Sequence, residues 1–204
     1  MVKVIAISGS PKVHGNTEKL ADCFLKGAES AGAAVTKVLL RKLKYRSCMG
    51  CNKCHETGKC VLKDDLAPVF EDIVADCDIL LLASPIYSMT VTAEMKAFID
   101  RGQYLWARRF RTNETTYGDE HLRTHIGVFV STAGMDLPTV FDCAYPTVRA
   151  LFNDAGFTYS ENIVANAMDK YGGIDGRPDI LRAAEELGRK LCLSDDLRRH
   201  YAKN

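Results

Sequence analysis

The chain has 204 residues, enough to bury one sizeable core. Apolar residues make up 47% and charged residues 26%, and 27 Lys and Arg stand against 26 Asp and Glu. This composition is that of a globular domain, and it removes the electrostatic case for nucleic acid or an anionic membrane surface as main partner. The number that stands out is 8 cysteines, four of them within residues 48–60.

The chain opens on a strand, Val4-Ile5-Ala6-Ile7, with no leader pattern ahead of it. Its longest apolar run, 79–83, is too short to span a bilayer. The expected setting is therefore a reducing cytoplasm, where clustered cysteines indicate metal or redox chemistry. A Gly/Ser/Pro loop follows the strand, and Leu20, Ala21, Phe24, Leu25 and Ala28 then recur at helical spacing. A second strand spans 35–40, and a cysteine-rich loop spans 45–63. The next helix carries Leu66, Val69, Phe70, Ile73 and Val74, with Asp64 or Asp65 as N-cap. Residues 78–83 form a third strand, apolar enough to be buried on both faces.

Val91, Met95, Phe98, Ile99, Gly102, Leu105 and Trp106 mark one further helix, with Asp100 and Arg101 read as a structural pair at a helix end. The polar stretch 108–123 reads as a surface insertion, either a solvated loop or, with Tyr104 and Trp106, a cover for a neighbouring copy. A fourth strand spans 125–131. Val140, Phe141, Ala144, Val148, Leu151 and Phe152 share a helical face that Pro146 should kink or break. A fifth strand spans 157–165, and Ile180, Ala184, Leu187 and Leu191 make a last amphipathic helix. Nothing divides the chain, so 1–204 is expected to be one α/β domain, a five-stranded parallel sheet with helices on both faces. Ligands of such sheets bind outside the carboxyl ends of the strands. The loops 8–17, 41–60, 84–91 and 131–137 should all open onto that edge.

The first loop offers Ser8, Ser10, Lys12, Gly15, Asn16 and Thr17 at a helix N-terminus, a place suited to a phosphate. It is neither a Walker A loop nor G-x-G-x-x-G, and a plain glycine turn with Asn16 as an ordinary cap is the competing reading. Tyr87 taken alone reads as a half-buried core tyrosine. The cysteines Cys48, Cys51, Cys54 and Cys60 are spaced C-x2-C-x2-C-x5-C, with a turn at Gly58. A tight triplet plus one more thiolate suits an iron–sulfur cluster. Zinc, with His55 as a further ligand, and redox-active thiols stay open. Cys23, Cys77, Cys143 and Cys192 read as packing. His14, His55, His121, His125 and His200 form no spaced pair of ligands, and no Ser/His/Asp arrangement is present.

Gly9-Ser10-Pro11-Lys12 with Gly15-Asn16-Thr17 resembles the phosphate loop of the flavodoxin-like NAD(P)H-dependent FMN reductases. Ser84-Pro85-Ile86-Tyr87 with Ala93, Lys96, Ala97, Phe98, Ile99, Asp100 and Arg101 is similar to a second family stretch, and Ser131-Thr132-Ala133-Gly134 to a third. The cysteine spacing resembles that of the iron–sulfur flavoprotein branch. The resemblance implies a flavodoxin-like three-layer sandwich. It also implies FMN with its phosphate on the first loop and its ring between Pro85, Ile86, Tyr87 and Ser88 on one side and Ser131, Thr132, Ala133 and Gly134 on the other. It implies further a [4Fe–4S] cluster on Cys48, Cys51, Cys54 and Cys60, and chemistry carried by the flavin rather than by a side chain.

The expected function is that of an electron-transfer flavoprotein passing electrons between FMN and the cluster. An NAD(P)H-dependent FMN or quinone reductase without a cluster is the alternative. A non-enzymatic shuttle or sensor with a zinc or thiol loop is a second one. NAD(P)H, a ferredoxin-like donor, and a quinone or small oxidant are the expected partners, and a homodimer or homotetramer the expected assembly.

Overall fold

The computed structural model of the chain describes residues 1–197; His200 and the end of the expected 1–204 domain lie outside the described residues. In chain order the elements are β1 (Lys3–Ser8), α1 (Asn16–Ser30), β2 (Ala34–Leu39), α2 (Cys54–Thr57), α3 (Leu66–Asp76), β3 (Ile79–Ala83), α4 (Ala93–Arg101), α5 (Gln103–Phe110), α6 (Asp119–Thr124), β4 (Ile126–Thr132), α7 (Ala144–Ala155), β5 (Thr158–Ala165) and α8 (Pro178–Cys192). The five strands pair in parallel in the order β2-β1-β3-β4-β5. The order reverses beside β1, so the crevice between the ends of β1 and β3 is the place this architecture reserves for a ligand.

The period of the strands sorts the core into two layers. Val4, Ala6, Ile79, Leu81, Val128 and Val130 face α1 and α8. The intervening Ile5, Ile7, Leu80, Leu82 and Phe129 face α3, α4 and α7. Alternate residues of a strand point to opposite faces, so unbroken apolar runs such as β3 are what a sheet covered on both sides requires. On the first face α1 and α8 pack backbone to backbone. A Cβ on Gly27 would lie 1.9 Å from the Glu185 carbonyl oxygen, and one on Gly188 would lie 2.1 Å from that of Phe24.

Several expectations are corrected. The helix expected from Val140 onward is divided ahead of Pro146: a 3₁₀ turn covers Pro138–Phe141, and α7 starts at Ala144. Pro146 then sits in the first turn, where a missing N–H breaks no helical bond. The helix expected through Trp106 is two helices meeting at Gly102. The stretch 108–123 has no buried residue; it holds the end of α5 and most of α6, and Tyr117 stacks on His121, which stacks on His125. Asp65 occupies the N-cap position of α3 but makes no capping bond; Asp64 accepts from the Leu66 N–H at 3.3 Å instead. Among the four single cysteines Cys77 and Cys192 are buried and Cys23 is half-buried, whereas Cys143 is exposed and serves no core.

Candidate functional site: a sheet-edge cradle and a cysteine loop

Three of the expected loops meet at the ends of β1, β3 and β4 and are tied to one another. The Gly9 N–H donates to the Ala83 carbonyl at 2.8 Å, and the Thr92 hydroxyl donates to the Gly9 carbonyl at 2.8 Å while capping α4 through the Met95 N–H. Ser131 donates to the Ser84 carbonyl at 2.7 Å, and the Ile86 N–H to the Thr132 carbonyl at 2.9 Å. The Thr17 and Thr132 hydroxyls, both buried, share a hydrogen bond of 2.6 Å that joins the first turn of α1 to the end of β4. These bonds fix the loops before any ligand arrives.

Within the first loop Ser8 and Ser10 turn inward. The Ser10 N–H donates to the Ser8 hydroxyl at 3.4 Å, and the Ser10 hydroxyl donates to the Lys12 carbonyl at 3.3 Å. Gly15, not Asn16, is the N-cap of α1; the Asn16 side-chain oxygen accepts from the Ile174 N–H at 3.1 Å. Of the expected phosphate contacts, Lys12 is exposed at the rim, while Asn16 and Thr17 brace the cradle from within. The first-turn N–H groups of this 15-residue helix are the donors that an anion there could use.

Two contributors to the first loop come from outside the expected site residues. Glu18, buried, accepts from the His14 N–H at 3.1 Å and pairs with Arg41 and Lys37. Arg41 donates in turn to the Ser10 carbonyl at 3.2 Å. Burial opposes the charge of Glu18, but the two cations outweigh it and hold its carboxyl below the usual range. The second contributor is the loop after β5. The Met168 N–H donates to the Ala133 carbonyl at 3.0 Å, and Ile174 is the partner of Asn16. Gly172-Gly173 ahead of Ile174 was the available cue.

The second loop closes on itself through paired bonds between Tyr87 and Thr90, with Ser88 at φ 48° and Met89 at φ 69°. Left-handed conformations in two consecutive non-glycine residues are strained, and such strain gathers at ligand clamps. The reading of Tyr87 as a core residue is overturned: it is 45% exposed, on the tip of this turn. Ser131, Thr132 and Ala133 lie buried at the end of β4 beside it.

The fourth loop departs from expectation in position. The Tyr45 hydroxyl donates to the Glu94 carbonyl at the start of α4, but the next residue, Arg46, offers its carbonyl to Arg101 at the far end of α4. The thiols therefore gather not on the strand edge but against the α4–α5 junction, on Arg101, Gln103 and Tyr104. Nine residues of α4 separate that point from the cradle, about 13 Å at the rise of an α-helix. Each interval between cysteines holds one left-handed residue: Gly50 between the first two, Asn52 between the next two and Gly58 before the last. The chain turns three times around one centre.

Cys48, Cys51, Cys54 and Cys60 are all free thiols lining a single pocket of about 30 Å³. The Gly50 N–H donates to the Cys48 sulfur at 3.4 Å. Burial, reinforced by its three neighbouring thiols, pushes the Cys54 thiol up. Among the described residues no three His, Cys, Asp or Glu side chains are close enough to hold a single metal ion. The thiols ring a space rather than meeting at a point. In the chemistry of its donors, four thiols around one pocket, this set fits an iron–sulfur cluster. His55 does not join them: its ring lies 5.5 Å from that of Trp106, and its buried Nε2 has no hydrogen-bond partner.

Arg101 is not the partner of Asp100, which pairs with Lys96. Arg101 is 3% exposed and pairs with Asp64 at 2.6 Å. Burial opposes its charge, but Asp64 and Cys60 hold it above the usual guanidinium value.

A parallel sheet with three loops locked at its carboxyl edge, a helix start and an exposed aromatic turn define a flavodoxin-like fold with a candidate ligand cradle. Residues 2–140 match the family described as NADPH-dependent FMN reductase, and the chain belongs to that family. It is 42% identical over 100 residues to an iron–sulfur flavoprotein of Archaeoglobus fulgidus, covering 49% of this chain and 45% of that protein. It is 27% identical over 183 residues to an iron–sulfur flavoprotein of Methanocaldococcus jannaschii, covering 86% of each. The stronger matches among these curated relatives span about half of the relative's length. Among solved structures, an FMN-dependent NADH-azoreductase from Bacillus anthracis in complex with FMN superposes with a TM-score of 0.67 at 12% identity, over 94% of this chain and 100% of that one. That likeness speaks for the fold. No helix among the described residues is long and apolar enough to cross a membrane.

Proposed function

We propose that the chain is an FMN-binding oxidoreductase of the iron–sulfur flavoprotein kind, exchanging electrons between FMN in the cradle and a [4Fe–4S] cluster on Cys48, Cys51, Cys54 and Cys60. The observation that carries the reading is the convergence of all four thiols on one pocket, joined to the cradle by α4. FMN would supply hydride and single-electron chemistry, and the cluster a one-electron site. The protein's part is positioning. The first turn of α1 and Lys12 hold the phosphate, Pro85, Ile86, Tyr87 and Ser88 present a rigid apolar and aromatic surface to the ring, and Ser131, Thr132, Ala133 and Gly134 close the other side with little bulk.

Anaerobic purification and reconstitution test this. Bound FMN, with about four irons and four sulfides per chain and broad visible absorption bleached by dithionite, is the expected result. Cys48→Ser with Cys60→Ser should lose the iron and keep the FMN. Flavin with no acid-labile sulfide would leave the second reading, an NAD(P)H-dependent FMN or quinone reductase, which the family match favours and which steady-state NAD(P)H oxidation would identify. Stoichiometric zinc would favour the sensor reading, and a protein that binds no FMN would end the proposal.

A further inference from the structure

We infer that Arg101 is the positioning residue of the cysteine centre, clamping both ends of the loop to α4 and raising the centre's affinity for an electron through a fixed positive charge. The inference rests on the iron–sulfur reading above. Arg101 donates from Nη1 to the Arg46 carbonyl at 2.9 Å and to Asp64 Oδ2 at 2.6 Å, and from Nη2 to the Leu62 carbonyl at 3.4 Å. Arg46 lies two residues before Cys48, and Leu62 two residues after Cys60. One guanidinium thus closes the loop at its neck. A lysine could carry the charge but not the planar fork that reaches both strands of the neck.

Two donors remain, one on Nη2 and the Nε–H; the Nε–H is buried with no hydrogen-bond partner, and Arg101 lines the pocket of the four thiols, with Cys60 among the groups that favour its charge. A buried, unsatisfied N–H is costly, and a sulfur acceptor in that pocket relieves it. The four thiolates of a bound cluster concentrate negative charge there, and net charge and hydrogen bonds to sulfur are the levers that set cluster potentials. Asp64 is the counterweight. It faces the same guanidinium, held below the usual carboxylate range despite its burial by Arg101 and by the Arg46 N–H, and its negative charge opposes reduction.

The test is a mediated redox titration of the anaerobically reconstituted full chain, read by visible absorbance, beside iron release to a chelator. Arg101→Gln should make one-electron reduction of the cluster about tenfold less favourable, a 59 mV fall for a one-electron couple. Arg101→Lys should hold the potential near that of the wild type but release iron faster. Asp64→Asn should move the potential the opposite way from Arg101→Gln. A residue with a merely structural role would move both variants in the same direction or neither. An Arg101→Gln protein with unchanged potential and unchanged iron release overturns the proposal. If that variant takes up no cluster, amide exchange of the iron-free proteins decides. Faster exchange confined to 46–62 supports the clamp, and unchanged exchange refutes it. If wild-type protein takes up no iron and sulfide, the iron–sulfur reading and the claim about potential both fail, and the exchange comparison still judges the clamp.

Discussion

Thr17→Val is the sharpest probe of the cradle. The substitution keeps the side chain's shape and deletes one hydroxyl. Thr132 Oγ1, 2.6 Å away and itself only 3% exposed, is left with no partner in a place water does not reach. An orphaned buried hydroxyl costs about 1–3 kcal/mol. For a chain of this size each kcal/mol lowers the melting temperature by roughly 2–4 °C, so a fall of about 4–8 °C is expected for a loss near 2 kcal/mol. Thr17→Val with Thr132→Val removes both partners and should be close to neutral, making the double variant more stable than the single. Urea unfolding of the FMN-free protein measures the cycle. FMN titration followed by flavin fluorescence should show about tenfold weaker binding for the single variant, equivalent to 1.4 kcal/mol of lost preorganisation. A single variant with the wild-type midpoint, or a double that loses the sum of two penalties, would refute the claim that this bond holds the loops together.

Gly27→Ala would drive a methyl against the Glu185 carbonyl, 1.9 Å from the new Cβ. A loss of about 2 kcal/mol is expected in thermal melts despite the roughly 1 kcal/mol gain in helix propensity, and a net gain would mean that α1 and α8 separate freely. Ser88→Gly should stabilise the FMN-free chain by about 0.5–1 kcal/mol by relaxing a left-handed backbone, and a loss would show that the turn is unstrained. Burial raises the Asp154 carboxyl from 3.8 to about 6, so the folded state holds its proton more tightly and loses stability as pH rises through that interval. Asp154→Asn should match wild type near pH 4 and exceed it by about 1 kcal/mol above pH 6, after allowance for partial exposure; equal stability at pH 7.5 would contradict the shift.

The architecture was legible because each strand carries its own evidence. Unbroken apolar runs such as Ile79 to Ala83 can only be buried on both faces, and the alternation of periods leaves a parallel sheet as the economical solution. The three cradle loops were legible because each follows a strand of that sheet. What escaped was tertiary in origin. Arg101 and Asp100 are adjacent in sequence, but a helix sends neighbouring side chains about 100° apart, so one meets Lys96 on the surface and the other dives to Asp64. Glu18 and Arg41 meet across 23 residues, and Asn16 and Ile174 across 158; no local pattern encodes the first pairing, and Gly172-Gly173 marks only a turn beside the second, not its partner. Pro146 breaks a helix only from its interior, and where α7 begins, at Ala144, is set by the 3₁₀ turn ahead of it rather than by the apolar spacing.

The cysteine count divides along the same physical line. Burial pushes the Cys77 thiol well up and that of Cys192 to about 11, which keeps both protonated and unreactive near neutrality. The loop thiols are instead held around one centre by backbone turns at Gly50, Asn52 and Gly58 and by the Arg101 clamp. That clamp and the Thr92 bond to Gly9 sit at opposite ends of α4, whose Met95, Phe98 and Ile99 are buried against the sheet. A helix so packed cannot slide without opening a void, so α4 holds the Thr92 bond and the Arg101 clamp at a fixed separation. With FMN and a cluster bound as proposed, electron exchange between them would depend on their potentials and on what spans that helix. This makes the charge of Arg101, rather than motion of the loop, the lever by which the chain would set the direction of flow.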